Sequence, residues 1–170
     1  VYKRQDIPLL VLNRKSSFEK SNKFHYISNF KDINRKNLEN KNILLAIGSR
    51  LLTDTASYYL NCGANVYARV LPTNESISKA FASGIKKSNI AILEPSKIRE
   101  DVLEKKLCEF WNIDYVICRE SGGYSQKNWE RIISKSNMKL YLVKRTKFKN
   151  EYSVIFDQHN NLIEHIRREY

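Results

Sequence analysis

Sulfur and acid are both scarce in this chain of 170 residues. Its three cysteines, Cys62, Cys108 and Cys118, include no CxxC pair, which argues against a disulfide framework and against a zinc site. Each thiol reads as a small core residue of a reduced compartment. No apolar run approaches the ~18–20 residues that cross a bilayer, and no signal-peptide pattern is present, so a cytoplasmic protein with no membrane partner is expected. GxGxxG and Walker A sequences are missing, which removes both standard nucleotide fingerprints. His25 lies in a polar connection and His159 and His165 near the last helix, so no Ser/His/Asp or Cys/His set can be assembled. No catalytic residue and no metal ligand is therefore assigned. The only methionine is Met138 and the chain begins Val1-Tyr2-Lys3-Arg4, so we read it as a fragment of a longer protein.

The shortage of acid is the more informative one. Eighteen acidic residues against thirty basic ones leave a formal charge of +12 and a pI near 9.6. Such a balance favours an anionic partner: nucleic acid, a phosphorylated cofactor or a polycarboxylate. A Lys-, Asn- and Ile-rich composition of the kind AT-rich coding sequences produce explains the charge equally well, because the lysines are scattered and form no stripe.

What is present is a regular alternation. Apolar runs of strand length occur at Ile7–Leu12, Ile43–Ile47, Asn65–Leu71, Asn89–Leu93, Tyr115–Cys118 and Lys139–Val143. Between them lie segments of helical spacing at Leu51–Leu60, Glu75–Ser83, Lys97–Trp111 and Gln126–Ser136, and Ile155–Arg168 closes the chain as a charged amphipathic helix. Strands apolar almost throughout, alternating with helices, predict an α/β protein: a Rossmann-like parallel sheet with helices on both faces. Gly63 is placed to cap the first long helix, and Pro72-Thr73-Asn74-Glu75 to start the second. Residues 13–42 are polar and weakly patterned, with a possible short helix at Asp32–Glu39. IPLLVLNR (Ile7–Arg14) aligns without gaps to MKLYLVKR (Met138–Arg145). This suggests two α/β domains of one design: residues 1–16 ending the first, 17–42 connecting, and 43–170 forming the second.

In an open parallel sheet, ligands gather beyond the carboxyl ends of the strands. Two junctions there suit an anion. Gly48-Ser49-Arg50 offers backbone N–H groups, a hydroxyl and a guanidinium at a helix start. Ser121-Gly122-Gly123 offers close backbone approach, with Arg119 adding positive charge. Arg69 falls at the same edge. Each loop taken singly reads more readily as an ordinary turn; it is their occurrence together that raises the ligand reading. Trp111 and Trp129 read as packing residues.

Taken in order, ILLAIGSRLL (Ile43–Leu52), VYARVLPTNES (Val66–Ser76), DYVICRESGG (Asp114–Gly123) and MKLYLVKR (Met138–Arg145) resemble the C-terminal part of the precorrin-6A and cobalt-precorrin-6A reductases. Arg69-Val70-Leu71-Pro72 is the most specific stretch. The sequence departs from the family pattern at Arg119-Glu120, at Arg145-Thr146 and at Glu94-Pro95-Ser96. The resemblance implies NADPH-dependent reduction of a double bond in a polycarboxylate tetrapyrrole ring on the route to cobalamin. It also implies that a domain upstream in the same protein completes the site. Under it Ser121, Gly122, Gly123 and Arg119, with Gly48, Ser49 and Arg50, would contact the cofactor, and Arg69 would pair with a substrate carboxylate. Two other readings stay open: an anion-binding module without catalysis, and, more weakly, a basic nucleic-acid-binding domain.

Overall fold

The computed structural model describes residues 9–13, 21–94, 102–145 and 153–169. Its centre is a six-stranded, all-parallel sheet built from β2 (Phe24–Ile27), β3 (Asn42–Ala46), β4 (Asn65–Val70), β5 (Ile90–Ile92), β6 (Tyr115–Arg119) and β7 (Lys139–Val143). The strand order is β2-β7-β6-β3-β4-β5. Ile43 lies opposite Val66 on one side and Tyr115 on the other. The expected α/β fold is therefore the observed one.

The apolar runs are continuous because both faces of the sheet are covered. Ile43, Leu44 and Leu45 are all fully buried, and the pleat sends them to opposite sides. Ile43 and Leu45 join Val66, Ala68 and Ile117 in one core, closed by Leu52, Ala56 and Tyr59 of α1 (Leu52–Asn61) and Ala80 of α2 (Asn74–Phe81). Leu44 joins Val116, Cys118, Leu140 and Leu142 in the other. That core is closed by Cys108 of α3 (Val102–Phe110) and by Trp129, Ile132 and Ile133 of α4 (Tyr124–Ser134). Trp111 stacks at a tilt on Tyr67, ring centroids 4.9 Å apart, so both tryptophans are packing residues as expected. Burial pushes the Cys108 thiol up to about 12 and raises Cys118 further, and Cys62 is half-buried; all three thiols are free.

Punctuation follows the sequence closely. Gly63 ends α1 with φ +76°, a conformation that glycine adopts without strain. The Thr73 hydroxyl caps α2 by accepting the Ser76 N–H at 3.2 Å.

Several expected elements differ. Phe24–Ile27, inside the stretch read as a connection, is an edge strand whose Phe24 lies opposite Leu140 of β7. The helix expected at Asp32–Glu39 is two 3-10 turns, Phe30–Asp32 and Arg35–Asn37, each capped by the asparagine before it. The closing helix begins later than Ile155: β8 (Ser153–Phe156) precedes α5 (His159–Glu169). β8 pairs in parallel with β1 (Leu9–Leu12), forming a two-stranded sheet of its own. Residues 97–101 of the third expected helix, Pro95-Ser96, Arg14 and Thr146 lie outside the described residues.

Candidate anion-binding cleft

The chain runs outward from β3 through α1, β4 and α2 to β5, and from β6 through α4 to β7 in the opposite direction. The reversal falls between β3 and β6, where the loops diverge and leave a crevice beyond the strand ends. A cleft of about 470 Å³ lies there. Its lining includes Gly48, Ser49 and Arg50 after β3, Arg69 near the end of β4, Ser76 in α2, and Arg119, Ser121 and Gln126 around the β6–α4 junction. Six of the eight residues singled out in the sequence thus share one cavity; Gly122 and Gly123 are not in its lining.

Arg69 sets the electrostatics. The residue is 8 % exposed, and its Nε and Nη2 atoms have no hydrogen-bond partner among the described residues. Glu104 of α3 lies 3.9 Å from Nη2, close enough to balance charge and too far for a hydrogen bond. Burial lowers the guanidinium's pKa and the nearby Glu104 opposes that shift. Arginine keeps its proton under such conditions, so a cation with spare donors stands in the cleft wall. Arg50 and Arg119 are exposed and supply positive charge at its rim.

A chain of hydroxyls leads from Thr73 to Ser76 and Ser49, the last two in the cleft lining. Thr73 Oγ1 donates to Ser76 Oγ at 2.9 Å, and Ser76 Oγ donates to Ser49 Oγ at 3.3 Å. In this arrangement Ser49 Oγ accepts from Ser76, so its own proton is available to donate to another acceptor. Ser76 escaped the sequence reading. Its only signal was its position three residues beyond the cap Thr73.

The Ser-Gly-Gly turn is satisfied from within. The N–H groups of Ser121 and Gly122 both donate to Gln126 Oε1, each at 2.8 Å, and the Gly123 N–H donates to Ser121 Oγ at 3.2 Å. Gln126 Nε2 donates to Glu130 Oε1 at 2.7 Å. The backbone donors expected to meet a phosphate are thus engaged by side chains of the same junction. Glu120, one of the departures from the family pattern, accepts the Arg145 N–H at 3.0 Å and ties the loop to the end of β7.

A parallel α/β sheet with a basic, hydroxyl-lined crevice at its switch point has the form in which open α/β proteins hold ligands, between the ends of strands. A model of the family described as "Precorrin-6x reductase CbiJ/CobK" matches residues 1–167, and the chain belongs to that family. It is 33% identical over 86 residues to a cobalt-precorrin-6A reductase of Synechocystis sp. (strain ATCC 27184 / PCC 6803 / Kazusa), covering 51% of this chain and 31% of that protein. Among solved structures it resembles CobK precorrin-6A reductase with a TM-score of 0.63 at 10% identity, covering 94% of this chain and 62% of that one. The second likeness concerns the fold. In both comparisons the chain spans less than two thirds of the relative.

Proposed function

We propose that this chain is the C-terminal part of an NADPH-dependent reductase acting on a precorrin-6A-type tetrapyrrole in cobalamin biosynthesis, located in the cytoplasm. The observation that carries the reading is Arg69: a buried cation whose Nε and Nη2 lack partners among the described residues, in the wall of a switch-point cleft, in a chain of this family. A ring bearing many carboxylates and a dinucleotide bearing phosphates are both polyanions, and both suit an edge furnished with Arg50, Arg69 and Arg119.

The donor set fits such groups. Arg50, Arg119 and the hydroxyls of Ser49 and Ser121 offer charged and neutral donors, and no carboxylate joins them in the lining among the described residues. When bound, the nicotinamide supplies a hydride to the ring. The chain's own residues anchor the anionic groups, with Arg69 taking a substrate carboxylate, and the buried strand ends keep water from one side of the site. An upstream domain of the same protein is the proposed partner that completes the cleft, so the isolated chain is expected to show no turnover.

Titration of the purified chain with NADPH and NADH, read by nicotinamide fluorescence at low and moderate salt, tests the reading. Saturable binding that favours NADPH and weakens on Arg119→Ala or Ser121→Ala is expected. If the chain joined to the upstream part of its protein binds neither NADPH nor a tetrapyrrole carboxylate, the proposal fails.

A further inference from the structure

We infer that Gln126 determines what the Ser-Gly-Gly loop can bind: its side-chain carbonyl fills the two-amide receptor of Ser121 and Gly122, so an anion at this loop is met by side chains and not by those two backbone amides. The inference rests on reading the cleft as an anion site, and it assigns a role to a residue that touches the loop rather than the reacting atoms.

Two adjacent backbone N–H groups converging on one point form a receptor for an oxyanion. Here that point holds Gln126 Oε1, 2.8 Å from both nitrogens. The orientation of the amide is fixed by chemistry. Turned over, the NH₂ group would face two N–H donors and the oxygen would face the Glu130 carboxylate, so one orientation alone satisfies all the partners. Gln126 is also 3 % exposed, which leaves it little room to swing aside. A ligand phosphate entering this position must break three hydrogen bonds and then face Glu130 across a short gap. The loop accordingly presents a different surface. Ser121 Oγ accepts the Gly123 N–H, which leaves its own proton to donate into the cleft, and Arg119 stands beside it. A neutral carboxamide satisfies the turn without adding negative charge to a site that receives anions.

The test is a titration of ¹⁵N-labelled chain with inorganic phosphate at constant ionic strength, following backbone amides and arginine Nε–H resonances together. In the wild type the Nε–H signals of Arg69, Arg50 or Arg119 should shift saturably while the Ser121 and Gly122 amides stay in place. In the Gln126→Ala/Glu130→Gln variant those two amides should become responsive, with phosphate affinity raised about tenfold, the worth of hydrogen bonds to a charged acceptor. Gln126→Glu keeps an acceptor at the turn, and its Ser121 and Gly122 amides should remain unresponsive. Wild-type amides that shift with the same midpoint as the arginines would overturn the inference while leaving the anion cleft intact. Amides that stay silent in the double variant, with its fold preserved, would overturn it as well. Arginines that do not respond in the wild type would instead count against the cleft reading, and the double variant would still decide the role of Gln126.

Discussion

The two ends of the sheet are built on opposite rules. At the amino ends of the strands, polar groups satisfy one another. Asp114 accepts the Asn42 N–H at 2.9 Å and Lys41 Nζ at 3.1 Å. The Asn42 carboxamide donates to the carbonyls of Trp111 and Asn112 at 3.1 and 2.9 Å and accepts from Asn65 at 3.0 Å. At the carboxyl ends, Arg69 is buried with two nitrogens that lack partners among the described residues. Satisfied networks stabilise, whereas a buried charge with spare donors lowers stability and persists where a ligand completes it. One end holds the fold, and the other is held by it.

Breaking the satisfied end should have the largest effect on stability. Asp114→Ala removes an acceptor from the Asn42 N–H and from Lys41, and should lower unfolding free energy by about 1–3 kcal/mol in urea denaturation. Anion affinity at the far end should stay unchanged. Arg69→Lys should give the reverse pattern. The charge remains but the planar fork is lost, so affinity for a polycarboxylate such as tricarballylate should fall about tenfold, with stability moved by less than about 1 kcal/mol. A loss of stability without a loss of affinity would dissolve the contrast between the two ends. Thr73→Ala should combine both effects in smaller measure. It removes the α2 cap, costing about 1 kcal/mol, and frees Ser76 from its donor, so the anion titration should weaken modestly.

The smallest effect should come from the sheet edge. His25 stacks on Tyr141 with ring centroids 4.9 Å apart, its Nε2 is buried without a hydrogen-bond partner among the described residues, and burial followed by the Lys139 charge lowers its pKa below 6.5. A lowered folded pKa favours the neutral ring. The His25 contribution is therefore complete above pH 6.5 and is lost as pH falls through the folded value. Urea midpoints measured from pH 7.5 down to 5 should decline with this signature, and His25→Phe should flatten it.

These contrasts also explain what could be read in advance. The four inner strands were legible because burial on both faces makes them continuous apolar runs, as Ile43-Leu44-Leu45 shows. Phe24–Ile27 was not, because an edge strand of four residues with one partner needs little apolar character and its flanks are Asn- and Lys-rich. Of Ser153–Phe156, the last two residues merged with the helix after them and the first two went unassigned, since four residues are too few to show a period of two before a period of 3.6 takes over. Among the candidate-site residues, the arginines and serines at or just beyond strand ends followed from where loops lie on a parallel sheet. Gln126 did not: on a helix face it reads as a neutral surface position, and only the folding of the first turn of α4 back onto residues 121 and 122 gives it its role.

The β1–β8 ladder bears on how the molecule assembles. Asn13 and Asp157, hydrogen-bonded at its end, are 144 positions apart, whereas Asn42 and Asn65 on β3 and β4 are separated by 23. Closing the longer loop from an open chain costs roughly 1.6 kcal/mol more, because closure entropy grows with the logarithm of length. The intervening sheet shortens that search once it has formed. On that ground the ladder is expected to join last on folding and to open first, and its amide hydrogens should exchange with solvent well before those of β3 and β6.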